Sequence, residues 1–302
     1  MKPNIDEIIL YFKSLQDAIC RKLEQLDTIG RFHEDVWMRE EGGGGRTRII
    51  EGEHIEKGGV NFSAIHGKMP KTIQESLGLE PNNFTATGVS IVLHPVNPFV
   101  PIIHMNVRYF ETDNGVFWFG GGIDVTPHYI NEKEAKIVHE KLKHVCDSFN
   151  GNAYQEYMDW ADKYFQIKHR GESRGIGGIF FDRLTTTESN DKMDIFSFVK
   201  GVGNAFTDIY EPLFLNNYKL EYTPAHLYWR DIRRSRYVEF NLVWDRGTKF
   251  GLQTNGRIES ILMSMPPLAQ WKYDYNAIPG SPEERTVTYL KKKMDWINYT
   301  EV

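Results

Sequence analysis

The sequence predicts an α+β domain built around a mainly antiparallel sheet, and three observations carry that expectation. Between Phe84 and Phe119, apolar residues recur with a period of two and are punctuated by turn residues. Before and after that stretch, apolar residues recur at steps of three and four. Strands and helices do not alternate regularly, as the βαβ units of a parallel sheet would require. No internal repeat, low-complexity block or linker-like shift in composition divides the chain, so residues 1–302 read as a single domain.

The first element is a helix. Ile5, Ile8, Phe12, Leu15, Ile19, Leu23 and Leu26 share one face, and Asn4 with Glu7 resembles a capping box just after Pro3. Glu40 to Gly59 holds Gly42-Gly43-Gly44-Gly45, many charges and no period, which predicts a mobile loop and, on composition, a candidate lid. Without Gly-Lys-Ser/Thr and a preceding apolar strand, these glycines make a poor phosphate cradle. Val89, Ile91 and Leu93 then alternate with Ser90, Val92 and His94. Ile103, Met105, Val107 and Tyr109 alternate with His104, Asn106, Arg108 and Phe110, and Thr112-Asp113-Asn114-Gly115 turns the chain into Val116 to Phe119. Helices are expected over Glu132 to Phe149, Tyr154 to Lys168 and Asp194 to Leu215, with a strand from Ile176 to Phe181. The last third predicts strands at Tyr237 to Trp244, Phe250 to Thr254 and Ile258 to Met263, turned at Asp245-Arg246-Gly247-Thr248, and a closing helix from Pro282 to Ile297.

Charge and composition exclude several classes. With 36 Lys+Arg against 41 Asp+Glu the net charge is −5, whereas a dedicated nucleic-acid binder usually shows a basic domain or stripe. No apolar run approaches the ~18–20 residues of a membrane span. The N-terminus resembles neither a signal nor a transit peptide. Cys20 and Cys146 make neither a disulfide framework nor a cysteine zinc site, so a cytoplasmic protein is expected.

The chemistry concentrates between Ser90 and Asp124. Successive strand side chains point to opposite faces, so His104, Asn106 and Arg108 share one face, and Ser90 shares one with His94. A solvated second face would carry Lys, Glu and Thr; strict alternation of His, Asn and Arg points instead to a polar pocket. Gly120-Gly121-Gly122 allow close approach of backbone or ligand, with Asp124 following, as a site residue or as the local cap of a glycine turn. Lys168-His169-Arg170 and Arg174-Gly175-Ile176-Gly177-Gly178 form a second basic, glycine-rich junction. No histidine belongs to a compact metal motif, so dispersed imidazoles could converge only through the fold. The run Trp229-Arg230-Asp231-Ile232-Arg233-Arg234-Ser235-Arg236 is short and carries an aspartate; a carboxylate pocket, an interface or a solvated stretch suits it better than nucleic acid. With Arg108, the turns at Asp245-Arg246 and Asn255-Gly256-Arg257 suggest a polyanionic small molecule.

Together these stretches resemble the oxygen-dependent coproporphyrinogen III oxidases, bacterial type. The matching runs are Gly88 to Pro95, His104 to Phe110, Trp118 to Pro127, Lys168 to Arg170, Arg174 to Asp182, Tyr237 to Gly251 and Gln253 to Pro267, with Asn255-Gly256-Arg257 varying a glycine-rich triplet. The resemblance implies a homodimer with the antiparallel sheet flanked by helices on both faces, its dimer surface around Tyr237 to Lys272. It implies oxidative decarboxylation of two propionates of coproporphyrinogen III to vinyl groups, giving protoporphyrinogen IX, CO2 and H2O2, with O2 as co-substrate and no organic cofactor. By position, Ser90, Asn106, Val107, Arg108, Asn255, Gly256 and Arg257 would contact substrate. His104 would donate a proton, and Asp124, Asp245 and Arg246 would meet pyrrole nitrogens and propionates. His94, His104, His139 and His169 would be the positions of a manganese-like divalent ion, or alternatively proton shuttles and propionate donors. The rivals are a metal-dependent hydrolase or oxygenase and a non-catalytic tetrapyrrole carrier.

Overall fold

The computed structural model describes residues 3–71, 74–75, 78–253 and 256–300. An antiparallel sheet runs through its centre, beginning with β1 (His33–Met38), β2 (Gly43–Ile50), β3 (Ile55–Lys68), β4 (Asn83–Pro95), β5 (Ile102–Thr112) and β6 (Phe117–Thr126). β7 (Gln166–Ile167) and β8 (Glu172–Ser173) form a separate ribbon, and β9 (Gly178–Leu184) completes the main sheet beside β6. The helices are α1 (Ile5–Asp27), α2 (Glu132–Asp147), α3 (Ala153–Tyr164), α4 (Lys192–Asn217), α5 (Pro224–Glu239), α6 (Arg246–Gln253), α7 (Ile258–Leu262) and α8 (Pro282–Leu290).

Alternation gives the sheet one apolar face. Val89, Ile91 and Leu93 of β4 and Ile103, Met105 and Val107 of β5 are buried in one core with Phe12, Leu15 and Ile19 of α1. Val199, Val202 and Phe206 of α4 and Val138 and Leu142 of α2 complete it. The capping box at Asn4 and Glu7 is present and starts α1. The other face meets the segment from α7 to Met265. There Asn61 Nδ2 donates to the Ser260 carbonyl at 2.6 Å, and Lys57 Nζ donates to the Met265 carbonyl at 2.9 Å. Gly59 suits this contact, because a Cβ there would overlap Met263 Sδ. Helical segments thus cover both faces of a mainly antiparallel sheet, as expected.

Two regions differ from the sequence reading. Glu40 to Gly59 is not a loop: β2 pairs with β1 on one side and β3 on the other. Only Gly42 (φ 126°) and Gly43 (φ 79°) of its four glycines take positive φ, at the hairpin turn, while Gly44 and Gly45 lie in the strand. Ladder hydrogen bonds on both edges outweigh the poor strand propensity of glycine, so a paired strand stands where a loop was expected.

The second difference is the region after Thr223. The arginine-rich run lies inside α5, capped by the Thr223 side chain with Pro224 in its first turn. A π-helical turn, Phe240–Trp244, continues it, and α6 and α7 replace the expected hairpin and strand; Thr254, at the end of that hairpin, lies outside the described residues. Tyr237, Phe240 and Asn241 are buried while Leu242 and Val243 are exposed, a helical spacing that aromatic and β-branched composition disguised as a strand. The Gly120–Gly122 triplet lies within β6, not in a turn.

Candidate active site

Strand register assembles the polar face. Across β4 and β5, Ser90 lies opposite Asn106, Gly88 opposite Arg108 and Val92 opposite His104. Across β5 and β6, His104 faces Asp124, Asn106 faces Gly122 and Arg108 faces Gly120. His104, Asn106, Arg108, Ser90 and Asp124 therefore share one surface. Val107 does not: its side chain is buried in the core on the opposite face.

Asp124 is the most constrained of these groups. Arg174 Nε donates to Oδ2 at 3.0 Å and Nη2 to Oδ1 at 2.5 Å, a bidentate ion pair. His104 Nδ1 lies 2.8 Å from the same Oδ1. Burial pushes the Asp124 carboxyl up, but the Arg174 charge and the His104 hydrogen bond outweigh it and hold the pKa below the usual carboxylate value. An ionised Asp124 accepts, so His104 donates from Nδ1, and Nε2 is the ring nitrogen turned away from the carboxylate. Asp124 is only 1 % exposed, with its oxygens engaged by Arg174 and His104, and so holds the His104 ring in place. Arg174 is fixed by aromatic faces, 4.4 Å from the Phe165 centroid, 4.6 Å from Phe240 and 4.9 Å from Tyr237.

Beside this triad, Arg108 donates through Nη1 to Asn106 Oδ1 at 2.7 Å and through Nη2 to Asp182 Oδ1 at 2.8 Å. On its other side, Tyr164 stacks on Phe180 at 4.2 Å and donates from its hydroxyl to Asp245 Oδ1 at 2.8 Å. The Arg246 guanidinium lies 4.9 Å from the Tyr164 ring, and the Arg246 backbone N–H donates to the Tyr164 hydroxyl. Asp245 Oδ2 also accepts from the Thr248 N–H at 2.6 Å in the first turn of α6, so it holds that helix as well as facing the site. Arg257 is ion-paired with Asp35 and donates to Ser260 Oγ at 3.1 Å; Gly256 packs on Gly251; Asn255 lies outside the described residues.

The four histidines are not brought together. His139 has both ring nitrogens engaged, Nδ1 with the Tyr154 hydroxyl and Nε2 with the Ile176 carbonyl, each at 2.9 Å; burial pushes its pKa down to about 4. His169 Nδ1 accepts from Trp244 Nε1 at 2.8 Å, and Nε2 meets Glu239 at 2.7 Å. His94 Nε2 bonds the Ser264 carbonyl at 2.8 Å, and burial and then the Arg234 charge push its pKa well down. Its Nδ1 keeps a free lone pair, but beside a guanidinium that opposes a second cation. Among the described residues no three His, Cys, Asp or Glu side chains gather as metal ligands. The set does not fit a divalent ion, and no step is assigned to one.

The arginine run of α5 is a buried charge network rather than a pocket. Arg234 is fully buried, pairs with Glu56 at 2.6 Å and donates to the Pro95 carbonyl at 2.9 Å; Arg233 pairs with Glu172 at 2.8 Å. Arg170 and Arg236 both pair with Glu239, whose carboxyl is drawn down to about 2 against the opposing effect of burial.

Sequence reasoning gave no role to Arg174, Asp182, Tyr164 or Phe165, although Arg174 and Asp182 bound a stretch it singled out. Arg174, Asp182 and the Tyr164 hydroxyl meet Asp124, Arg108 and Asp245, which lie dozens of residues away in the chain. Among the described residues no helix is long and apolar enough to cross a membrane. Residues 7–296 match the family model of coproporphyrinogen III oxidase. That match sets aside the hydrolase and carrier readings, and the chain, an enzyme of porphyrin biosynthesis that acts on a tetrapyrrole, belongs to the coproporphyrinogen III oxidase family.

Proposed function

We propose that the protein is the oxygen-dependent enzyme, converting two propionates of coproporphyrinogen III to vinyl groups and yielding protoporphyrinogen IX. The observation that carries this reading is the polar sheet face. It offers an imidazole, His104, oriented by Asp124, on a face that also carries Arg108, above an apolar core that excludes water from behind. Per propionate, R–CH2–CH2–COO− + O2 + H+ gives R–CH=CH2 + CO2 + H2O2. A C–H bond and the bond to the carboxylate break, the carbon–carbon double bond forms, and O2 accepts the two electrons.

In this scheme Arg108, Arg246 and Arg257 receive propionates, since guanidinium matches carboxylate geometry. Asp245, half-buried and open on its solvent side, accepts a pyrrole N–H and raises the ring's electron density toward O2. His104, held by Asp124, exchanges the proton at Nε2. The working unit is a homodimer, with the exposed Leu242, Val243, Leu252, Leu268 and Trp271 as its apolar surface. The test is turnover of reduced coproporphyrinogen III, followed as protoporphyrin fluorescence after oxidation, in air and anaerobically. Vinyl formation dependent on O2 and lost in Asp245→Asn is expected; equal turnover without O2 overturns the oxygen-dependent reading.

A further inference from the structure

β9 departs from regular pairing beside the substrate face. Gly121 lies opposite Phe181 while Phe119 lies opposite Leu184, so the β9 segment between them holds Asp182 and Arg183 against the single residue Gly120. This is a β-bulge, and Arg183 takes a left-handed φ of 53°, unfavourable for a residue of its kind. Bulges re-aim side chains, and this one aims Asp182 across β6 at Arg108, where Oδ1 accepts from Nη2 at 2.8 Å. The intervening position suits this, because a Cβ on Gly120 would lie 2.6 Å from Asp182 Oδ1 and 2.9 Å from Arg108 Nε.

Resting on the reading of Arg108 as a propionate receptor, we propose that Asp182 is a positioning residue, which fixes the Arg108 guanidinium and sets the edge from which a substrate carboxylate can approach. Arginine has five N–H donors in a planar fork. Asn106 takes one on Nη1 and Asp182 one on Nη2. With both ends tied, the plane of the fork is set before substrate arrives, so less rotamer freedom is lost on binding. The Asp182 charge repels a carboxylate from its own side and leaves the remaining donors as the only approach. The strained φ of Arg183 fits a bulge kept for what it aims.

A double-mutant cycle tests this, read as kcat/KM for coproporphyrinogen III and, in parallel, as affinity for coproporphyrin III by fluorescence titration. Asp182→Ala should lower both by about 10-fold or more, as loss of orientation does, with an unchanged urea midpoint. Asp182→Asn, which keeps an oxygen acceptor, should fall between. In an Arg108→Ala background, adding Asp182→Ala should change either quantity by less than about 2-fold. Additive losses, or wild-type kcat/KM and affinity in Asp182→Ala, overturn the inference. Wild-type protein that binds coproporphyrin III without turning over the reduced substrate defeats the proposed reaction, while the binding cycle still decides the role of Asp182.

Discussion

Two regions of the molecule are rich in arginine, and they use it in opposite ways. On the sheet face, Arg108 is tied at two nitrogens and keeps its remaining donors toward solvent. In α5, Arg230, Arg233, Arg234 and Arg236 are buried and bound to Asp231, Glu56, Glu172, Glu239 and backbone carbonyls. The first arrangement leaves binding capacity; the second consumes it. Arginine abundance therefore says little about ligand recognition, and the donors left over say a great deal. Burial sharpens the contrast: desolvation, followed by repulsion from Arg230, pulls Arg234 down to about 10.

The contrast predicts that damage in the two regions registers in different measurements. The largest effect is expected at His104. His104→Ala should lower kcat by about 10²- to 10⁴-fold, the usual contribution of a positioned proton-transfer group, while thermal and urea midpoints move little. Arg174→Met should follow it in activity and also cost stability, because it leaves Asp124 as an unpaired buried charge. Retained kcat in His104→Ala would remove the sheet face from the chemistry.

Arg234→Ala should do the reverse, destabilising the fold by about 3 kcal/mol, since it empties a fully buried side-chain volume and removes the donor to the Pro95 carbonyl. Urea denaturation reads that change. The protein that remains folded should keep its kcat. A variant of full stability and lost activity would mean that the α5 network serves the substrate after all.

Acid pH separates the regions more finely. The depressed folded pKa of Asp124 means that its contribution is complete above the ordinary carboxylate value of 3.8 and is lost as pH falls through the lower folded value. Asp27 behaves alike for another reason. It accepts backbone N–H bonds from Gly30, Glu53, His54 and Ile55, which together outweigh its burial. Urea midpoints measured from about pH 6 down to about pH 3 should fall, and Asp27→Asn should flatten that limb. An acid limb as steep in Asp27→Asn as in the wild type would show that other carboxylates set it.

Much of the sheet face was legible because a strand has a period of two: Ser90, His104, Asn106 and Arg108 follow from alternation alone. Arg174 and Asp182 were not, because their partners Asp124 and Arg108 reach them only through β6–β9 pairing and a bulge that no local pattern announces. The helices from Pro224 to Leu262 were misread because Val, Phe, Tyr and Trp favour strands unless tertiary packing decides otherwise, and here burial of Tyr237 and Phe240 at helical spacing decided. β2 was missed because Gly43 to Gly45 hide a strand.

The smallest expected effect concerns the imidazoles, where the same accounting of free lone pairs applies. A metal ligand must offer an unprotonated ring nitrogen, and His139 has none left once Tyr154 donates to Nδ1 and Ile176 accepts from Nε2. At His169, Trp244 uses Nδ1 and Glu239 takes the proton on Nε2. His104 spends Nδ1 on Asp124, which leaves a single ring nitrogen. Chelator-treated protein, confirmed metal-free by elemental analysis, should therefore keep its activity within about 2-fold, and His139→Gln should lose stability rather than turnover. Activity abolished by chelation and restored by a divalent ion would show that these bonds break to form a centre.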